Sequence, residues 1–220
     1  MDKALIYWEK QEKAFCGVHC INNLIQCPLF IEKNFADIAN KLDAQERELM
    51  GIKPGQKYQS QNCDTRGNYS IQVLWEAIRK YIGSFQPFRT GLELDNIKGE
   101  TCVDVRKNPI NQTGFVCNKQ NHWFSLRRLN ERWYNLDSLS KRGPTLITDM
   151  YLSAHLKSLD DSGYTVCVIK GKYPSREQDE TSKVVPLCEL VQQVAGRGNW
   201  FDEAKIVSLA GDGQVVCLGV

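Results

Sequence analysis

The spacing of apolar residues changes partway along this 220-residue chain, and the change restricts the folds open to it. Up to about residue 81, apolar residues recur at intervals of three and four, which is typical of amphipathic helices. Beyond that point one helix is predicted over 148–159, and short apolar runs predict strands at 85–88, 114–117, 122–126, 132–138 and 164–169. The chain is therefore predicted to be α+β, with an N-terminal helical half and a C-terminal antiparallel sheet.

Polar residues at candidate caps divide the helical half into separate predicted helices. A first helix follows the loop that begins at Gln11, and Asn34 is predicted to cap a second one. Asp43 followed by Glu46 is a capping-box pattern, which predicts a short third helix before a glycine-containing loop at 51–69. Ser70 is then predicted to cap a further helix.

Charge and cysteine content exclude several classes of protein. Twenty-eight basic against 26 acidic residues leave a net charge of +2, so we expect neither a nucleic-acid nor a membrane partner. No apolar run approaches the ~18 residues of a membrane-spanning helix, and the N-terminal residues lack the pattern of a secretion signal. Nine cysteines without an export signal indicate a reducing compartment, and we expect the cytoplasm or nucleus.

A change in composition near residue 174 predicts a domain boundary. The segment 171–183 is rich in charge and lacks aliphatic side chains, as linkers do. We therefore predict one domain over 1–174, followed by a linker and C-terminal extension over 175–220. The pattern of the extension leaves open whether it docks on the domain.

Cys16 is a candidate nucleophile because it lies at the start of the first predicted helix. There the helix dipole and free N–H groups stabilise a thiolate. Taken alone, however, a cysteine on an amphipathic helix is more often a small buried apolar residue. His19 lies three residues on, on the same face of the helix, and could compete as a base or have a structural role.

His122 and Asp137 lie on two strand-like runs that flank a turn at 130–131, as in a hairpin. If Leu129 pairs with Arg132, Phe124 lies opposite Asp137 and His122 is one diagonal step away on the same face. A register shift of one residue would place Asp137 on the other face. Asn135 is a rival for the residue that orients the histidine.

Gln11 is a candidate for an oxyanion hole, since its side-chain amide precedes Cys16 by five residues. The amide and the backbone N–H of Cys16 could together donate to a developing negative charge.

Taken together, these motifs resemble the Josephin-domain deubiquitinases of the ataxin-3 type, which are cysteine peptidases of the papain-like class. The resemblance covers roughly residues 6–174 and rests on five blocks: QEKAFCGVHCINNLIQ, SIQVLWEAI, HWFSLRRL, WYNLDSL and YLSAHL with GYTVCVIKGKYP. It implies a Josephin fold with a projecting helical arm at 32–50 that could gate the cleft.

The resemblance also implies the role of each site residue. Cys16 would be the nucleophile, His122 the general base and acid, and Gln11 the oxyanion donor. Asp137 falls at the orienting position, where the ataxin-type branch usually has Asn. Ile71 and Gln72 match one ubiquitin-binding patch, while Leu29, Phe30 and Tyr81 match a second patch on the opposite side.

The activity implied by the resemblance is thiol-dependent hydrolysis of the isopeptide bond at the C-terminal glycine of ubiquitin. The expected partners are ubiquitin and polyubiquitin, no cofactor or metal is expected, and we expect a monomer. Two alternatives remain open. The chain could be a catalytically idle ubiquitin-binding module, or a metal-binding protein whose ligands would be drawn from Cys16, His19, Cys20, Cys117 and His122.

Overall fold

A computed structural model describes residues 5–11, 13–53, 55–79, 92–171, 173 and 198–211 of the chain. Its α-helices are α1 (Cys16–Ile25), α2 (Glu32–Leu49), α3 (Ile71–Ala77), α4 (Val103–Lys107), α5 (Asp149–Asp161) and α6 (Glu203–Gly211). Its strands are β1 (Leu5–Trp8), β2 (Glu93–Asn96), β3 (Gly114–Lys119), β4 (His122–Leu129), β5 (Arg132–Asn135), β6 (Thr145–Ile147), β7 (Thr165–Lys170) and β8 (Asn199–Asp202).

The predicted α+β class is confirmed: helices α1 to α3 precede the strands of the main antiparallel sheet, although the unpredicted strand β1 comes before α1. The main sheet has the strand order β2-β7-β3-β4-β5-β6, and its neighbours are antiparallel. The predicted helix near 148–159 is confirmed as α5, whose cap Thr148 accepts a hydrogen bond from Tyr151 N. The strand predicted at 85–88 lies outside the described residues.

The two faces of the sheet pack against different helices because neighbouring side chains on a strand point in opposite directions. Val116 and Trp123 join the core with α1, α2 and α3, whereas Phe115 and Phe124 join the core with α5. This division places α1 directly against β4, which starts at His122.

The helical arm is a single helix, so the predicted division into two helices at Asp43 was wrong. Helix α2 runs without interruption through Asp43, whose buried carboxylate accepts a hydrogen bond from Asn62 Nδ2 (2.9 Å). A carboxylate that finds its partner in a distant loop is not needed as a local cap. Asn34 lies inside the first turn, where its Oδ1 accepts from Ile31 N (2.8 Å).

The start of α3 agrees with the prediction. Ser70 occupies the cap position and accepts a hydrogen bond from Val73 N at 3.3 Å. Its hydroxyl in turn donates to Asn62 Oδ1 (2.9 Å), so the cap is also tied to the loop that pins the arm. The N-terminal end of α3 is thereby held beside α2.

The C-terminal residues 198–211 pack against the domain through the N-terminal strand. Strand β8 pairs with β1 in antiparallel register, with Trp8 opposite Asn199, and α6 contacts β6. Glu203 at the start of α6 is buried and accepts hydrogen bonds from Tyr134 Oη (2.6 Å) and Asn130 Nδ2 (2.8 Å). Within the described residues, no helix is both long and apolar enough to cross a membrane.

Candidate active site

Helix α1 begins at Cys16, so this side chain stands at the positive end of the helix. Phe15 is the cap residue, and its carbonyl accepts hydrogen bonds from the N–H groups of Val18 (3.0 Å) and His19 (3.3 Å). The N–H of Cys16 belongs to the first turn, whose donors have no acceptor within the helix. A negative charge on the Cys16 sulfur or on a bound oxygen is favoured at this position.

The Cys16 sulfur is held against the start of β4. Its thiol donates to the carbonyl oxygen of Asn121 (3.3 Å), and the backbone N–H of Trp123 donates to the sulfur (3.4 Å). These two residues flank His122 in the chain. The imidazole therefore projects from the same strand end as the two backbone groups that hold the sulfur in place.

His122 makes the contact to Asp137 that the hairpin register predicts. The distance between His122 Nε2 and Asp137 Oδ1 is 2.8 Å, and both side chains are about one-quarter exposed. Nε2 is occupied by this bond, which leaves Nδ1 for proton exchange with the cysteine. The ring also stacks on Phe124, with centroids 6.1 Å apart.

The surroundings of His122 favour its protonated form. Burial by itself would lower the pKa, but the hydrogen bond to Asp137, the nearby Cys16 sulfur and the negative charge of Asp137 raise the pKa of His122 to about 9. The imidazole is then cationic at neutral pH. A cationic imidazole next to a sulfur at a helix start is the arrangement that stabilises a nucleophilic thiolate.

The position of Asp137 follows from the β4–β5 hairpin. Leu129 pairs with Arg132 as predicted, across a two-residue turn with positive φ at both positions. The same register continues past the end of β5, where Leu136 N donates to Ser125 O (2.9 Å). Asp137 is the next residue, and its Oδ1 also accepts from Leu139 N (2.9 Å).

Asn135, the rival for the orienting role, has a different function in the structure. Its side chain is buried, and Oδ1 accepts the backbone N–H of Asp137 at 3.1 Å. Asn135 therefore holds the backbone of Asp137, and Asp137 contacts the imidazole.

Gln11 lies beside the segment that carries Asp137. The backbone N–H of Gln11 donates to Ser138 O (2.9 Å), and the Ser138 hydroxyl donates to Gln11 Oε1 (3.1 Å). The carbonyl end of the amide is thus held by Ser138. An oxyanion needs a hydrogen-bond donor, and the NH₂ group of the Gln11 side chain is the donor of this amide.

His19 is fixed as a structural residue by a buried carboxylate. Its Nδ1 lies 2.6 Å from Glu9 Oε2, and both side chains are buried. The other oxygen of Glu9 accepts from Tyr7 Oη (2.6 Å) and Asn22 Nδ2 (2.9 Å). Because His19 binds Glu9, the imidazole available to Cys16 is that of His122.

Glu9 is a residue that the sequence reasoning missed. All ten residues of α1 are buried, including the polar side chains of His19, Asn22 and Asn23. Buried polar groups need partners, so several polar residues on a buried helix predict a partner elsewhere in the chain. A signal for Glu9 therefore existed, but the burial of α1 on all sides was not evident from its pattern.

The residues predicted to bind ubiquitin differ in exposure. Gln72 is exposed on α3, and Ile71 and Leu29 are partly buried against the helical core. The structure does not support Phe30 as a surface contact, because its side chain is fully buried and packs against Phe35 (centroids 5.5 Å apart). Tyr81 lies outside the described residues.

The metal-binding alternative finds no site in the part of the chain that the structure describes. There, no group of three or more His, Cys, Asp or Glu side chains could hold a metal ion. The two histidines of that candidate set have carboxylate partners instead, His19 with Glu9 and His122 with Asp137.

Comparison with known proteins gives consistent matches. The model of the Josephin family matches residues 11–170. Ataxin-3 of Homo sapiens is 37% identical over 188 residues, covering 82% of this chain and 49% of the relative. Ataxin-3 of Rattus norvegicus is 36% identical over 193 residues (84% and 52%), and an ataxin-3 homolog of Caenorhabditis elegans is 32% identical over 186 residues (84% and 55%). The chain thus spans about half the length of these relatives.

Proposed function

Because the chain belongs to the Josephin family, a deubiquitinase-type family of cysteine peptidases with a papain-like fold, we propose that it is a deubiquitinating peptidase. Its substrate is the isopeptide bond between the C-terminal glycine of ubiquitin and a lysine amine, in chains or conjugates. The observation that carries the proposal is that His122 bonds Asp137 (2.8 Å) while the backbone groups of Asn121 and Trp123, on either side of His122, bond the Cys16 sulfur. Nucleophile, base and orienting group are therefore brought together at one strand end.

The first half of the reaction forms an acyl-enzyme. The Cys16 thiolate attacks the glycine carbonyl, a C–S bond forms, and the carbonyl electrons move onto oxygen. The Cys16 backbone N–H and the amide of Gln11 are the proposed donors to this oxyanion. When the oxyanion collapses, the C–N bond breaks, and the lysine amine leaves with the proton of His122 Nδ1.

The second half regenerates the enzyme. Neutral His122 takes a proton from water, and the resulting hydroxide attacks the thioester carbonyl. The C–S bond breaks, ubiquitin leaves with a free carboxylate, and the thiolate and imidazolium are restored. Asp137 keeps Nε2 occupied throughout, so that Nδ1 remains the nitrogen that faces the reacting atoms.

Substrate recognition is proposed to use the surfaces beside the site. Gln72 and Ile71 are at the start of α3, which packs against α1 and α2, and Leu29 lies between α1 and α2. A narrow groove suits the extended Gly-Gly tail of ubiquitin and excludes bulkier chains. The arm α2 is proposed to limit access to this groove.

The test is incubation with ubiquitin that carries a C-terminal electrophile, followed by mass spectrometry. We expect one covalent adduct per chain, located on Cys16. The Cys16→Ala variant should form no adduct and cleave no diubiquitin, yet still bind ubiquitin. The matched control is Cys63→Ala. Cys63 is partly exposed, and burial raises the pKa of its thiol, so we expect this variant to be labelled normally.

Two results would contradict the proposal. An adduct on a cysteine other than Cys16 would remove the assigned nucleophile. Binding of ubiquitin by the wild-type chain without adduct or cleavage would identify it as an idle ubiquitin-binding module.

A further inference from the structure

The segment that carries Asp137 is held by a row of hydrogen bonds from the N-terminal part of the chain. Each of three consecutive carbonyl groups accepts one: Leu136 O from Asn23 Nδ2 (3.1 Å), Asp137 O from Trp8 Nε1 (3.1 Å) and Ser138 O from Gln11 N (2.9 Å). Asp137 lies past the end of β5, so strand pairing alone does not fix it. These bonds replace the missing strand partner.

We propose that Trp8 is a positioning residue, whose indole N–H fixes the backbone of Asp137 so that its carboxylate meets His122. The inference rests on the Cys16, His122 and Asp137 set of the proposed function, and not on ubiquitin as the substrate. Trp8 is the donor aimed at Asp137 itself. It lies outside residues 11–170, which the family model matches.

Trp8 is held in place by the C-terminal strand β8. Its side chain is buried and meets Phe201 edge-on, with ring centroids 5.7 Å apart. Phe201 also packs closely on Gly143, where a Cβ atom would come within 2.9 Å of the ring. The Phe201 ring therefore lies between Trp8 and the loop that follows Asp137. Through this contact, the C-terminal segment supports the geometry of the site.

A purely structural role is the competing explanation, since Trp8 also packs against Ile6 and Leu136 in a small core. The two explanations differ in what the N–H does. Trp8→Phe removes the donor and keeps an aromatic ring, so packing is largely retained. If the bond positions Asp137, the variant should lose catalytic efficiency without losing substrate binding.

For Trp8→Phe in the full chain, we expect kcat/KM for a fluorogenic ubiquitin amide to fall about fivefold, the effect of one hydrogen bond. The fall should be in kcat, with KM unchanged. The control is Trp200→Phe, the same change on β8, where the ring packs on Tyr7 (centroids 5.0 Å apart) and activity should persist. Phe201→Leu, which loosens the packing on Trp8, should give a smaller change in the same direction.

A second readout needs no ubiquitin. Titration of His122 by NMR should give a lower pKa in Trp8→Phe than in the wild type, because a displaced carboxylate stabilises the imidazolium less. In an Asp137→Ala background the same substitution should have no further effect on the pKa or on kcat, since Trp8 acts through Asp137.

The outcomes separate this inference from the proposed function. Unchanged kcat and unchanged His122 pKa in Trp8→Phe would overturn the inference. It would also be overturned if Trp8→Phe lowered kcat equally in the wild type and in the Asp137→Ala background. If the wild type cleaves no ubiquitin substrate but the His122 pKa falls in Trp8→Phe, the proposed function fails and the positioning role of Trp8 stands.

Discussion

The two sides of the molecule that meet at the site are built by different physical means. On one side, α1 is fully buried and carries polar side chains that bind backbone groups of other segments, such as Asn22 to Phe30 and Asn23 to Glu9. On the other side, the face of the sheet that packs on α5 buries a cluster of apolar side chains that includes Phe115, Phe124 and Trp133. Polar bonds are directional and apolar contacts are not. Helix α1 is therefore held in one precise place, as the proposed role of Cys16 requires, while strand register positions His122 and Asp137.

The comparison also shows how a polar helix can be buried without penalty. Asn22 exchanges two hydrogen bonds with the backbone of Phe30, from Nδ2 to the carbonyl (2.9 Å) and from the N–H to Oδ1 (2.9 Å). Gln26 does the same with Tyr7. Each of these side-chain amides accepts from a backbone N–H and donates to a backbone carbonyl, as a residue of a neighbouring strand would. Each satisfies a backbone segment that has no full partner of its own.

The largest expected effect on stability comes from removing Glu9, the buried carboxylate that bonds the polar side chains of α1. Glu9→Ala removes the partner of His19, Tyr7 and Asn22 at once and leaves buried donors unsatisfied. We expect the free energy of unfolding to fall by about 3–5 kcal/mol, measured by denaturant unfolding. The control is Asp95→Ala, which breaks an ion pair with Lys170 that is about one-third exposed and should cost less than about 1 kcal/mol. Equal losses would contradict the comparison.

A smaller and sharper test uses two residues with nearly the same positive φ angle. Gln26 and Glu131 have φ of 61° and 63°, in the left-handed region that favours glycine. Glu131→Gly should raise the free energy of unfolding by about 0.5–1 kcal/mol, because it relieves backbone strain in the hairpin turn. Gln26→Gly should lower it by about 1–2 kcal/mol, because it also removes the bonds to Tyr7. A gain in stability at both positions would show that the bonds of the Gln26 amide to Tyr7 contribute little.

The smallest expected effect is the pH dependence of the stability that the His122–Asp137 contact contributes where the two sides meet. The folded pKa of His122 is raised to about 9, above the ordinary value of 6.5, so the contact with Asp137 stabilises the fold fully below pH 6.5. That contribution is lost as the pH rises through 9. Asp137→Ala should therefore destabilise the chain by about 1 kcal/mol more at pH 6 than at pH 9.5. Urea unfolding of both proteins at the two pH values measures this, and a constant difference would contradict it.

Local features of the sequence predicted several elements correctly. Ser70 as the cap of α3 and the pairing of Leu129 with Arg132 both depend on neighbouring residues alone, and both are confirmed. The two-residue turn between β3 and β4 was not predicted, because Gln120 and Asn121 lack the glycine that usually marks positive φ. That turn brings Asn121 against Cys16 and sets the start of the strand at His122.

Elements that depend on distant partners were missed. Strands β1 and β8 are four residues each and stabilise one another across most of the chain, so neither has a strong local pattern. The division of the arm at Asp43 was wrong for the same reason, because the partner of that carboxylate is Asn62, far along the chain.

The sequence by itself determined the α+β class, the register of the β4–β5 hairpin and the residue types proposed for a thiol peptidase, because periodicity and turn geometry are local. Tertiary structure alone decided that His19 pairs with Glu9, that Asn135 bonds the backbone N–H of Asp137 and not the imidazole, and that Trp8 reaches the same segment. Sequence spacing does not predict these choices, because the bond of His19 forms in the core and that of Trp8 joins residues 129 positions apart. Only the folded chain brings such groups within bonding distance.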